Sequence, residues 1–119
     1  MSKTSAIHID ITLDQDKVPE KIDWTASDST AAGVNEARAM MVSFWDAADK
    51  NALRIDLWTK KMMVDEMADF FYQSMMGMAD TFYRATKDEA LVGEMKQFAK
   101  EFMQKFRSKQ KPASGGSGE

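Results

Sequence analysis

At 119 residues the chain is long enough for one domain and too short for two ordinary ones. Its 44% hydrophobic and 29% charged residues describe a globular protein, while zero Cys and one His remove disulfides, thiolate metal sites, a cysteine nucleophile and any multi-histidine centre, so no metal or cofactor is expected. The net charge of −3 is unevenly placed, with nine basic against fourteen acidic side chains over residues 1–86 and seven against four over 87–111, a weak dipole unsuited to sequence-independent nucleic-acid binding.

The N-terminus has no continuous apolar region, so no secretory signal is expected and the chain reads as cytoplasmic. Ile7, Ile9, Ile11 and Leu13 then alternate with His8, Asp10, Thr12 and Asp14, the period-two pattern of a strand. Turn material follows at residues 14–17, and Val18-Pro19 suits the start of a strand or an edge. A second strand is expected over 21–26, with Ile22, Trp24 and Ala26 on one face, paired with the first as an antiparallel hairpin.

Residues 27–34 are small and polar. Asn35 is then a plausible N-cap for Ala37, Met40, Met41, Phe44 and Trp45, whose spacing predicts a short amphipathic helix. Leu53, Ile55 and Leu57 alternate with Arg54, Asp56 and Trp58 and predict a third strand.

From about Val64 to Ala85 the period is 3.6, with Met67, Phe70, Phe71, Ser74, Met78, Phe82 and Ala85 along one face of a helix roughly 33 Å long. The longest uncharged stretch of the chain, Phe70 to Ala79, is ten residues, well short of the roughly 20 that span a bilayer, so no transmembrane insertion is expected. Thr86-Lys87-Asp88-Glu89 has the form of a capping box and opens a last helix carrying Leu91, Met95, Phe98, Phe102 and Phe106, which fades near Ser108. Residues 111–119 carry no apolar payload and read as a disordered tail.

Each polar cluster has a plain alternative that outweighs the chemical one. His8 and Asp10 share a strand face at a spacing that lets a carboxylate orient an imidazole, but no nucleophile elbow accompanies them and a solvated strand face explains them. Asp14 and Asp16 lack the Gly and distal Glu of a calcium loop and suit a hairpin turn. Lys96, Lys100, Lys105, Arg107, Lys109 and Lys111 form a basic strip that Glu94 and Glu101 interrupt, as on a solvated helix face. Ala31-Ala32-Gly33-Val34 has one Gly where phosphate cradles need several.

The methionine and aromatic load says more. Residues 62–83 hold six of eleven Met and five of twelve aromatics, and most of these suit a core. Tyr72, Met76 and Tyr83 point away from the main helical stripe, and Trp58 opposes the Leu53, Ile55, Leu57 face. These four are the candidate interface residues, for a protein partner or for a two-fold homodimer.

Several segments resemble one family. Val18-Pro19-Glu20-Lys21-Ile22-Asp23-Trp24, the run from Glu36 through Met41 to Phe44-Trp45-Asp46, Ala52-Leu53-Arg54-Ile55-Asp56-Leu57-Trp58-Thr59-Lys60 and Val64-Asp65-Glu66-Met67 are similar to the gliding-motility-associated GldC family. The resemblance covers about Ile7 to Phe106 and is most specific in the Leu53 to Lys60 segment. It implies a small accessory protein of the bacterial gliding machinery, acting through a protein partner of that apparatus and carrying no catalytic motif. Met63 stands where the family tends to place a proline before Val-Asp-Glu-Met, which leaves the helix start open.

The expected architecture is therefore α+β, a single domain over residues 1–110 in the order β-β-α-β-α-α. An antiparallel sheet of about three strands, in the order 2-1-3, packs with helices. The expected function is non-enzymatic protein binding in gliding motility; the alternative is a small enzyme or ligand-binding domain with a pocket near His8 and Asp10.

Overall fold

The alternation of aliphatic and polar residues at the N-terminus forms β1 (Ile7–Leu13), which pairs antiparallel with β2 (Pro19–Ala26), as the pattern predicts. The turn between them is built on Asp14, whose carboxylate accepts the N–H groups of Asp16 and Val18 at 2.8 and 3.0 Å, and Lys17 takes the left-handed conformation with φ 64°. The structure, a computed structural model, describes residues 2–28 and 33–110; the expected tail and residues 31 and 32 of the 31–34 segment lie outside them.

Residues 35–46 are extended, not helical. β3 (Asn35–Ala37) pairs with β2, and after a break at Arg38 the chain continues as β4 (Ala39–Asp46), which pairs antiparallel with β5 (Asn51–Trp58). The expected helix fails because Met40, Val42 and Phe44 also alternate with Met41, Ser43 and Trp45, and a short apolar run fits either period. A neighbouring strand decides it: β5 needs main-chain partners, and residues 39–46 lie within a tight turn of it. That turn is closed by the Asp46 carboxylate accepting the Ala48 N–H at 3.1 Å and by Lys50 at φ 51°.

The element order is thus β-β-β-β-β-α-α, in the expected α+β class but with five strands. The expected sheet order 2-1-3 is replaced by a β1-β2-β3 sheet and a β4-β5 sheet, because β5 finds its partner next to it in sequence. Both sheets lie in the first of two compact units, residues 1–62. There the Lys60 ammonium pairs with the Asp14 carboxylate, and Lys61 reaches Glu36 at 3.4 Å.

The second unit is a helical hairpin of α1 (Val64–Thr86) and α2 (Glu89–Gln110). Met63 is extended, with φ −88° and ψ 158°, and its N–H is accepted by Glu66 at 3.1 Å, so the helix starts at Val64 without the proline. Lys87 closes α1 in the left-handed conformation. The cap of α2 falls two residues later than the capping box predicts: Asp88 accepts the Leu91 N–H at 3.1 Å, while the Thr86 hydroxyl donates back to the Phe82 carbonyl at 2.9 Å. Thr86 is the last residue of α1 and is not free to begin α2.

The two helices meet over small residues. Ala68 and Ala79 on α1 and Val92, Ala99 and Met103 on α2 are buried, with Ala79 and Ala99 at 0% exposure. Tyr72, Met75, Met76 and Tyr83 lie half-buried along the same side of α1, at three- and four-residue intervals from the alanines. Phe71, Met78 and Phe82, expected in the core, are exposed. The 3.6 period is right and the buried side is rotated from the expected one, because Ala68, Ala79 and Ala99 let the helices approach more closely than Phe would.

Candidate protein-binding surfaces

The exposed apolar side chains fall on two kinds of surface. On the helical hairpin, Met75, Met78, Leu91, Met95 and Phe98 line one shallow depression, joined at Phe98 to a second lined by Phe102 and Phe106 with Glu101, Lys105 and Lys109. In an antiparallel pair, α1 and α2 each present this flank to the same side, so the two stripes form one face. Met78 is 59% and Phe98 62% exposed, values that set them apart from core residues. Contiguous apolar side chains at this exposure make the face a candidate interaction surface.

In the sheet unit, the register sets Phe44 beside Leu53 and Val42 beside Ile55 on one face of the β4-β5 ribbon. Phe44, Leu53 and Ile55 are exposed there. The other face carries Trp45 beside Ala52 and Trp58 beside Ala39, and both tryptophans are exposed. On the same face Arg54 grips Asp56 through two hydrogen bonds of 3.0 and 2.9 Å.

The four expected interface residues divide. Trp58 is exposed at the end of β5, on the side away from Leu53, Ile55 and Leu57 as its parity predicts. Tyr72, Met76 and Tyr83 are half-buried on the flank of α1 opposite Phe71, Met78 and Phe82, with the Lys87 ammonium 5.0 Å from the Tyr83 ring. The exposed Phe71, Met78 and Phe98 were not among the expected interface residues. The signal that could have found them is the run of alanines at residues 68, 79 and 99, which marks the side where two helices meet.

The polar clusters behave as solvated groups. His8 Nε2 lies 3.1 Å from Asp10 Oδ1, so the pair forms, but the two side chains are 71% and 70% exposed and nothing encloses them. Asp14 serves the turn, and its carboxyl is held below the ordinary carboxylate value by the Lys60 ammonium first and then by the Val18 N–H. In the basic strip, Lys96 is tied to Asp80 at 2.9 Å. Among the described residues, no helix is long and apolar enough to cross a membrane.

These observations define an α+β protein with open apolar surfaces, among whose charged groups Lys60 pairs with Asp14, Arg54 with Asp56 and Lys96 with Asp80. Residues 19–108 match the model of the family described as gliding motility-associated protein GldC-like. The match takes in β2 through most of α2, and the chain belongs to that family. No curated protein and no solved structure matches it.

Proposed function

We propose that this chain is a non-enzymatic, cytoplasmic accessory of the gliding machinery that works by binding another protein of that apparatus. The process comes from the family, which is associated with gliding motility. Binding as the mode of action is supported by one observation above others: Met78 and Phe98 stand exposed on adjoining helices over a common apolar depression. Methionine and aromatic side chains are enriched at protein interfaces, and methionine adapts its shape to a partner. Tyr72, Met76 and Tyr83 on the opposite flank of α1 make up a second contact surface of the hairpin in this proposal, and Trp58 on β5 a separate one in the sheet unit.

The test is capture of partners from gliding cells with the full chain, alongside Met78→Asp and Phe98→Asp variants that place a charge on the depression. Recovery of a motility or envelope component by the parent chain, and its loss with both variants at unchanged helix content, is the expected result. Capture of no such component, or capture indifferent to both variants, refutes the reading.

A further inference from the structure

β5 has one neighbour in its sheet, and its other edge is free among the described residues. The ladder shows what that edge offers. The Thr59 N–H donates to the Arg38 carbonyl at 2.8 Å, in register with the β4-β5 pairs, so the main-chain groups of residues 51, 53, 55 and 57 turn towards β4. Those of Ala52, Arg54, Asp56 and Trp58 therefore point outwards and lack a strand to bond.

From this edge we infer that β5 pairs with β5 of a second copy of the chain, antiparallel about a two-fold axis at Ile55. In that register Ile55 faces its own copy, Leu53 faces the partner's Leu57, Arg54 faces the partner's Asp56 and Ala52 faces the partner's Trp58. The outward groups of both strands then close about eight main-chain hydrogen bonds. Sliding the strands by two residues keeps the hydrogen bonds but sets Arg54 against Arg54 or Asp56 against Asp56, and like charges placed directly opposite are destabilising. The segment Leu53-Arg54-Ile55-Asp56-Leu57 is thus self-complementary in one register, with alternating charges on one face and continuous aliphatic residues on the other.

β1, β3 and β4 also end their sheets; β3 and β4 carry only Glu36 and Asp46 as charged residues and so have no opposite charges to pair across a two-fold axis, and two observations favour β5 over β1. The β4-β5 sheet has only two strands, and a two-stranded sheet is marginal until more strands or a packed face are added; pairing makes it four. Leu53 and Ile55, 52% and 51% exposed, would gain cover from their copies, as Ile7 and Leu13 would on β1, so the strand number and the charged pair decide between the two edges. The β1 sheet already has three strands, and its corresponding cross-pair would be His8 with Asp10, which lacks the two-pronged guanidinium that Arg54 brings to a carboxylate. The inference stands apart from the hairpin reading, since Met78 and Phe98 are not on this edge.

Light scattering on the full chain over a micromolar dilution series should give about twice the 13.4 kDa chain mass. Arg54→Asp and Asp56→Arg should each weaken the dimer roughly 10- to 30-fold, since each sets like charges opposite twice. Mixing the two variants, or combining both substitutions in one chain, restores opposite charges across the axis and should restore the dimer, a rescue that misfolding would not allow. Ile55→Cys, at a closely spaced pair on the axis, should form an intermolecular disulfide on mild oxidation, and Ile9→Cys on β1 should not. A mass of 13.4 kDa throughout, a dimer indifferent to either charge reversal, or crosslinking through Ile9 in place of Ile55 overturns the inference. Loss of partner capture with an intact dimer would sink the hairpin reading alone.

Discussion

The helical hairpin and the sheets leave different things open to a partner. Within α1 and α2 the main-chain bonds close on themselves, and the turn between the helices is finished by Lys87 and Asp88, so the hairpin can offer only side chains. β1 and β5 offer main chain as well, because each ends its sheet with unpaired N–H and C=O groups. Side-chain docking tolerates many partner shapes, whereas strand addition demands an extended segment in one register. One small chain thus carries an adaptable surface and a selective one, and substitutions should separate them.

The largest effect is expected in β2. Ile22 is 1% exposed, and Ile22→Ala should cost about 2–5 kcal/mol through lost burial and the cavity left behind. The reading of residues 1–110 as a single domain adds a condition: the loss should appear in the helical circular-dichroism signal as well as in the strand signal, as one thermal transition. A helical signal that melts unchanged while the strands weaken would break the single-domain reading and leave two independently stable units.

The next test sharpens the assignment of the two sides of α2. Ala99→Leu forces a larger side chain into the close approach of the helices and should destabilise by about 1–3 kcal/mol, while Phe98→Ser, one residue away and exposed, should change stability little. Equal losses at both positions in chemical denaturation would mean that the buried side is misassigned.

How far the sequence discloses this molecule differs between the two regions. β1, β2, β5, α1 and α2 are legible because each has a long pattern of one period, and α1 is predicted within a residue at either end. Residues 35–46 are not, since Met40, Met41, Phe44 and Trp45 satisfy a helical spacing that only the partner strand β5 overrules. The α1 stripe shows a different limit. Its period follows from local sequence, but two apolar sides compete, and contact with α2 at Ala79 and Ala99 decides which is buried. The candidate interface was legible at Trp58, whose parity is set by its own strand, and not at Met78 or Phe98, whose exposure depends on where the neighbouring helix lies.

The hairpin turn permits a finer test. Asp88→Ala removes the side chain that accepts the Leu91 N–H and should cost about 1 kcal/mol; Asp88→Asn, which retains an acceptor, should keep most of it. Thr86→Ala should cost less, because the Thr86 hydroxyl donates to the Phe82 carbonyl and accepts the Asp88 N–H but bonds no N–H inside α2. The reverse order in thermal melts would return the cap to the position the capping-box pattern suggests.

The smallest expected effect belongs to the Asp14 and Lys60 pair, which ties the β1-β2 turn to the residues following β5. The Lys60 ammonium, then the Val18 and Asp16 N–H groups, hold the Asp14 carboxyl below its ordinary value of 3.8, and Asp14 in turn holds Lys60 above its ordinary 10.5. A carboxyl depressed in the folded state stabilises above its unfolded value, and that contribution fades as pH falls through the folded one. The raised Lys60 acts in the opposite sense: its contribution is complete below 10.5 and fades as pH rises through the higher folded value. Asp14→Asn keeps an acceptor for the two N–H groups and removes the charge, so its melting temperature should lie slightly below the parent's at neutral pH and converge with it below the ordinary carboxylate range. Lys60→Met should lie below the parent from neutral to mildly alkaline pH and converge with it above 10.5. Because the pair is reached by solvent through Lys60, added salt should narrow both differences. A gap for Asp14→Asn that persists undiminished into strong acid would show that Asp14 acts through the turn geometry alone, and that its ion pair with Lys60 does not hold the turn to the end of β5.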